Sequence, residues 1–406
     1  MSTFPFQDEL DAQLEWQREV YREAHRHPEV SGHEHATAER LQKELESWGL
    51  SVQRIGGTGV VTVLRNGEGP TVLARADIDA LPVAEATGLD YASEEDGVMH
   101  ACGHDMHLTA LLGAAKLMHA RRDAWSGTYI ALFQPAEEDA SGARQMIDDG
   151  LVDAVPQPDV ALGQHILPLP AGHVYTAAGA VLSQADSVRV TLFGRGAHGS
   201  MPHLSVDPVV LAASVVMRLQ TVVSRETQPG EFAVLTVGSI TSGSSANVIP
   251  DRAQLLLNLR TYDTDVRRRV IAGLERIVRG ECEAAGSPKE PEFEYYDQFP
   301  LTQNAEETTE KITEVFREHL GPDVVQEARP ATASEDFSEL PDAFGVPYVY
   351  WFVGCVDPDT YEQAVQAGRV NEDIPANHSP LFAPVIDPTV ELTTKAQVIA
   401  ALAYLG

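Results

Sequence analysis

The sequence predicts an α/β chain. A mixed, largely parallel sheet carries helices on both faces, and an inserted ferredoxin-like domain of order βαββαβ interrupts it. Three observations carry that expectation. Up to about residue 184, and again after 296, short apolar runs alternate with helical stretches. Between 185 and 295 two strand-like runs follow one another with no helix between them. The 406 residues also exceed what a single core usually organises, and 43% hydrophobic content is enough for a normal interior. The expected division is residues 1–184 with 296–406 as one domain and 185–295 as the other.

In chain order, "SGHE" at 31–34 has the form of a capping box, with Ser31 as N-cap and Glu34 reaching back. Ala38, Leu41, Leu45 and Trp48 follow at helical spacing, and Gly49 ends the helix. "GVVTVL" and "TVLARAD" read as strands, "HLTALLGAAKLMHA" as a helix, and "TYIALFQ" as a strand. "GARQMIDDG" is a short helix stopped by Gly150, and "DVALGQH" is a strand again. The insertion begins with strand "SVRVTLF". A helix from about 207 to 224 follows, with Asp207 as N-cap and Pro208 at its first position. Then come "FAVLTVGSI", "AQLLLNLRTY", a helix over 263–285 with Val266, Val270, Leu274 and Ile277 on one face, and "EFEYY". The first rhythm returns with helix "EETTEKITEVFREHLG", strand "PYVYWFVG" and a helix over 388–404.

Composition narrows the function. A net charge of −31 repels phosphate backbones and anionic lipid, which argues against nucleic-acid and membrane-surface partners. The N-terminus lacks a basic segment followed by an apolar one, and no apolar run is expected to reach the roughly 18 residues that span a bilayer. Cys102, Cys282 and Cys355 lie too far apart for a disulfide framework, so a cytoplasmic enzyme is expected.

The chemistry concentrates in "MHACGHDMH", where His100, Cys102, His104, Asp105 and His107 fall within a few residues. Cys102 and His104, separated by a glycine, can both turn toward one centre, and Asp105 is then a plausible N-cap for a helix beginning at Met106. A buried thiol and a satisfied histidine are the bland alternative. What outweighs it is company. Asp77 and Asp79 in "RADIDALP", Glu137 and Glu138 in "FQPAEED", His165 in "LGQH" and His378 in "ANHSP" sit just after strands or at helix starts, where open α/β sheets gather ligands.

Adjacent carboxylates such as Glu137 and Glu138 repel unless a positive charge lies beside them. One can bind metal while its neighbour acts as general base, since a metal lowers the pKa of water from about 15.7 to about 7. Thiolate, carboxylate and three imidazoles suffice for two divalent ions of the Zn, Mn, Ni or Co type. His25, His27, His33 and His35 have no such company and read as structural or exposed.

Over nearly its whole length the chain resembles the aminoacylase, hippurate hydrolase and auxin-conjugate amidohydrolase branch of the dinuclear metallopeptidases. "HRHPEVSGHE", "RADIDALP", "HACGHDMH", "FQPAEE", "GQH", "GRGAHGSMPH", "NVIPD", "ASEDF" and "NHSP" occur in that order. The resemblance implies a catalytic domain interrupted by a lid that also mediates dimerisation. It implies Cys102, His104, Glu138, His165 and His378 as metal ligands, Glu137 as general base, and Asp77 behind them, orienting a ligand or the base. It also makes His198 a donor to the tetrahedral oxyanion, reaching across a dimer, and gives Asn247 and Arg260 to the substrate. His107 is expected to be structural.

"GRGAHGS" formally satisfies G-x-G-x-x-G, but Pro202 intervenes before the next helix and Leu219 stands where a ribose-binding acid belongs, so a dinucleotide site is set aside. The expected activity is metal-assisted hydrolysis of N-acyl amino acids. A dipeptidase or aminopeptidase of the same superfamily is the nearest alternative, and a non-catalytic metal-dependent binding protein is the other. A serine hydrolase lacks its G-x-S-x-G elbow.

Overall fold

The computed structural model describes residues 4–406. The chain divides into two compact units, one of residues 1–181, 302–330 and 336–406, the other of 182–301 and 331–335.

The first unit is built on an eight-stranded sheet. Its strands run in the order Val52–Ile55, Gly59–Asn66, Gly127–Gln134, Thr71–Asp77, Val160–Pro170, Tyr348–Val356, Val174–Thr176 and Val325–Glu327. The three neighbours in its middle, Gly127–Gln134 with Thr71–Asp77, Thr71–Asp77 with Val160–Pro170, and Val160–Pro170 with Tyr348–Val356, all pair in parallel. Antiparallel pairs are confined to Val52–Ile55 with Gly59–Asn66, Gly59–Asn66 with Gly127–Gln134, and Tyr348–Val356 with Val174–Thr176. The central strands are covered on both faces, which is why they read as near-continuous apolar runs: every residue of Thr71–Asp77 is buried. Helix His104–Ala120 lies in the interior, and Leu108, Leu111, Leu112, Leu117 and Met118 join one core with Val390, Val398 and Ile399 of the last helix.

The second unit is a four-stranded antiparallel sheet in the order Ala233–Thr241, Arg252–Thr261, Gln184–Phe193, Glu292–Phe299, with two helices on one face. Taking the strands in chain order gives 2-3-1-4, the ferredoxin-like arrangement. Alternation in Arg252–Thr261 turns Leu255, Leu257 and Leu259 onto helices Pro208–Thr221 and Thr264–Ala285, where Leu211, Val215, Leu219, Val270 and Leu274 meet them. Asp207 caps the first helix, accepting from the N–H groups of Val209 and Val210, and Asp263 caps the second.

Three local expectations need correction. Ser31 and Glu34 do not form a capping box. The helix runs His35–Ser47, and its N-terminal N–H groups at Ala36 and Thr37 donate instead to the Glu29 carboxylate, at 3.0 and 2.7 Å. Asp105 is not an N-cap, because the helix already begins at His104 with Gly103 as cap, and Asp105 sits in its first turn. Finally, Pro208–Glu226 continues through a π-helical turn to 19 residues of mean hydropathy 1.2, long and apolar enough by length and composition to cross a bilayer. The expectation that no apolar run reaches that length missed this stretch, which Arg218 and Gln220 interrupt. Its inward face belongs to the core of the second unit.

Candidate metal centre

The loops at the carboxyl ends of the central strands bring the predicted groups of the first unit together. Gly103 explains the Cys102–His104 spacing. Its φ is 90°, and a Cβ there would lie 2.3 Å from Ile166 Cδ1, so only glycine lets the chain turn into the helix at this point. Cys102 Sγ lies 3.5 Å from His165 Nε2. His378, in a left-handed conformation with φ 70°, is held by its own N–H donating to the Ala101 carbonyl at 2.7 Å. Its Nε2 stands 3.2 Å from Glu138 Oε1. His104 Nε2 lies 3.9 Å from both Glu137 Oε2 and Glu138 Oε1.

Two triads of ligand atoms, each drawn within 4.8 Å of one another, share the cysteine: Cys102, His104 and His165, and Cys102, Glu138 and His378. His165 lies inside its strand rather than after it. Pairing with Thr71–Asp77 stops at Gly163, which frees that edge just where the imidazole emerges.

Hydrogen bonds sort the side chains by what they have left. His107 uses both nitrogens. Ile166 N–H donates to Nε2 at 2.9 Å, so Nδ1 carries the proton that meets Asp77 Oδ1 at 2.5 Å. It is a structural residue. Asp77 is committed too, because its Oδ2 accepts from Arg75 Nη1 at 2.7 Å. His104 differs: Nδ1 pairs with Asp79 Oδ1 at 3.1 Å, while Nε2 is buried without a hydrogen-bond partner. His165 Nδ1 reaches the Ile166 carbonyl at 2.6 Å, leaving Nε2 toward Cys102. Glu138 Oε1 is likewise buried without a hydrogen bond of proper geometry.

Electrostatics make the same point. Burial and the Glu138 and Glu137 carboxylates push the Cys102 thiol well up. Burial depresses His104, but Asp77, Asp79 and Glu138 more than reverse it, to about 10. Burial, then His107, keeps His165 neutral. Orphaned nitrogen and oxygen atoms, a thiol and converging carboxylates form a donor set that divalent cations fit.

Sequence reasoning placed Asp79 among the converging groups without giving it a role, and missed Arg75. Asp79 is the direct partner of His104, and its Oδ2 also accepts from the Glu138 N–H at 3.0 Å and the Ser31 hydroxyl at 2.7 Å. Arg75, fully buried, ties Asp77 to Gln134 and Asp336. The alternation that marks a half-buried strand gave no hint of a buried arginine in an all-buried one.

Residues 73–378 match the profile of peptidase family M20/M25/M40. The chain belongs to peptidase family M20/M25/M40. This M20 protein is 39% identical over 286 residues to an N-acyl-L-amino acid amidohydrolase of Geobacillus stearothermophilus, covering 70% of this chain and 75% of the relative. It is 36% identical over 332 residues to a hippurate hydrolase of Campylobacter jejuni, covering 81% and 85%. A dinuclear metal-binding M20 peptidase of Bacillus subtilis superposes with a TM-score of 0.78 at 27% identity, over 97% of this chain and 99% of that one. The M20 protein is a metallohydrolase acting on amide bonds.

His198, Asn247 and Arg260 lie in the second unit. His198 and Asn247 are neighbours on a two-stranded ribbon in which Val248 pairs with His198, and Gly199 N–H donates to the Asn247 carbonyl at 2.7 Å. His198 Nδ1 accepts from the Ser200 N–H at 3.1 Å and meets its hydroxyl at 2.7 Å, so the ring proton resides on Nε2. Arg260 is half-buried. Nη1 donates to the Thr332 carbonyl and Ser334 hydroxyl, both at 2.9 Å, and Nε to Asn258 at 3.2 Å.

Proposed function

We propose that the protein hydrolyses the amide bond of N-acyl amino acids, releasing a carboxylic acid and a free amino acid. One observation carries the reading: two ligand triads share Cys102, and Glu137 stands beside them as a further carboxylate. Cys102, His104, Glu138, His165 and His378 would hold two divalent ions of the Zn, Mn, Ni or Co type. Such ions supply Lewis acidity toward the amide carbonyl and acidify water toward neutrality.

The chain's own groups do the rest. Glu137 takes the proton of the attacking water and returns it to the leaving amine. His104 is kept in the tautomer that leaves Nε2 free by Asp79, and Asp77 holds His107 and through it the backbone beside His165. His198, with its proton on Nε2, donates to the oxyanion. Asn247 and Arg260 bind the intermediate or the substrate carboxylate.

The reading includes a homodimer formed through the second unit. Val209, Val210 and Met217 stand out from its first helix, and Ala233–Thr241 is an edge strand.

The relatives named for N-acyl amino acids and hippurate favour this substrate class over dipeptides. Elemental analysis of purified protein, coupled to rates on hippurate, N-acetyl amino acids and free dipeptides, tests it. Two metal equivalents per chain with turnover of the acylated substrates is the expected result. Exclusive turnover of dipeptides, or no bound metal after reconstitution, overturns it.

A further inference from the structure

We propose that Glu34 is the positioning residue that aims the turn carrying Glu137 and Glu138. The inference rests on the reading that this turn serves a metal-dependent hydrolysis. Glu34 belongs to the "HRHPEVSGHE" segment, whose sequence pattern suggested a helix cap. Its carboxylate is instead completely buried. Oε1 accepts from the Ala136 N–H and the Gly32 N–H, each at 2.9 Å, and Oε2 accepts from the Thr58 hydroxyl at 2.6 Å. Burial raises its pKa, while hydrogen bonds from Thr58, its own backbone N–H and Ala136 pull the other way.

The residue it grips is where the turn needs holding. Ala136 has φ 47° and Ala140 has φ 53°, so two non-glycine residues in the left-handed region bracket the paired carboxylates. Conformations of this kind persist only where the surroundings enforce them. The turn closes on itself through Ala140 N–H to the Glu137 carbonyl at 2.8 Å and Gly142 N–H to the Ala136 carbonyl at 3.0 Å. Glu34 fixes its entry, and Asp79 fixes Glu138 through the backbone N–H.

Residues 29–34 also steady Asp79. Ala80 N–H donates to the Glu29 carbonyl at 2.8 Å, Val30 bridges Ala80, and the Ser31 hydroxyl donates to Asp79 Oδ2. Segment 29–34 thus braces both loops from outside the cluster of donor atoms.

The test compares Glu34→Ala with Glu34→Gln. The readouts are Zn²⁺ affinity by chelator competition, kcat and KM on an N-acetyl amino acid, and Tm. Glu34→Ala is expected to lose about 10–100-fold in both Zn²⁺ affinity and kcat, with KM changed less than about threefold. Glu34→Gln is expected to restore both. Its carbonyl oxygen still accepts from the two N–H groups, and its amide donates to the Thr58 oxygen.

A folded Glu34→Ala protein with wild-type Zn²⁺ affinity and kcat overturns the proposal, and so does a Glu34→Gln protein as impaired as the alanine variant. A lowered Tm alone marks a merely structural residue. If Glu34→Ala does not fold, Thr58→Val removes one of the three hydrogen bonds, and wild-type values for it overturn the proposal. If the wild type binds Zn²⁺ yet hydrolyses none of the acylated substrates, the substrate reading fails, and the Zn²⁺ measurement still decides the role of Glu34.

Discussion

The cluster in the first unit and the ribbon in the second are organised in opposite ways. Around Cys102–His107 the side chains are buried and most polar atoms are spoken for; of those left without a hydrogen bond, His104 Nε2 and Glu138 Oε1 lie 3.9 Å apart, and His100 Nδ1 is another. On the ribbon His198 and Asn247 are exposed, and His198 has only its tautomer fixed, by its near neighbour Ser200. The contrast teaches how to separate support from chemistry here. His107 and His104 share one helix and one environment, yet His107 uses both nitrogens and His104 keeps one. Apart from His378, whose side chain is exposed, the donors arranged in advance for an ion are buried or partly buried, whereas exposed donors suit a ligand that arrives with substrate.

The largest effect expected from this contrast is at Glu137. Glu137→Gln preserves shape while removing the proposed base, so metal content should stay at the wild-type level and kcat should fall at least about a hundredfold. Elemental analysis beside steady-state kinetics checks both halves, and near-wild-type kcat assigns the base elsewhere. Next comes the ribbon. His198→Ala removes a single donor, and kcat should fall about 10²–10³-fold with Zn²⁺ affinity unchanged. A fall in Zn²⁺ affinity would erase the distinction between the two regions. Mixed with Glu137→Gln chains, His198→Ala chains should recover part of the activity if the donor acts across a dimer. No recovery after verified subunit exchange argues for action within one chain.

The sequence was most legible where a single residue type can serve. The central strands, the βαββαβ insertion and its Asp207 cap follow from apolar runs, alternation and a short polar side chain before proline. The convergence of Cys102, Glu138 and His378 followed from their places after strands and at loop ends. What stayed hidden were the partners. Glu29 and Glu34 are both acids near a helix start, and local spacing favours Glu34 for the cap; only the tertiary fold carries its carboxylate to Ala136, 102 positions on. Asp105 satisfies the rules for an N-cap, but the left-handed Gly103 starts the helix earlier and releases Asp105 to pair with His25. Long-range hydrogen bonds leave no periodic trace.

A smaller effect sharpens the idea of prearrangement. In Asp79→Asn the amide oxygen can still accept from Ser31 and the Glu138 N–H, but its NH₂ then faces His104 Nδ1. The proton moves to Nε2, the atom that must stay free. Zn²⁺ affinity should fall about 10–100-fold while Tm of the metal-free protein changes little. Unchanged affinity would show that Asp79 does not select the tautomer.

The smallest effect concerns what holds the buried region together in the metal-free state. His25 Nδ1 bonds Asp105 at 2.7 Å, and Nε2 approaches Glu85 at 3.4 Å. Burial alone would lower its pKa; the bonds to Asp105 and Glu85 reverse that and raise it from 6.5 to about 9. The folded chain therefore keeps a proton that the unfolded chain releases. Its contribution is complete below about pH 6.5 and is lost as the pH rises through about 9, at a slope of at most about 1.4 kcal/mol per pH unit. Glu85, held down to about 2, stays ionised throughout that window. His104 titrates in an overlapping range, so the informative quantity is the difference between wild type and His25→Gln in chelator-treated protein. Urea unfolding from pH 6 to 10 should show a shallower decline for the variant. Parallel declines would mean that His25 is neutral in the fold, and that the first turn of the His104 helix is held by packing instead of by this ion pair.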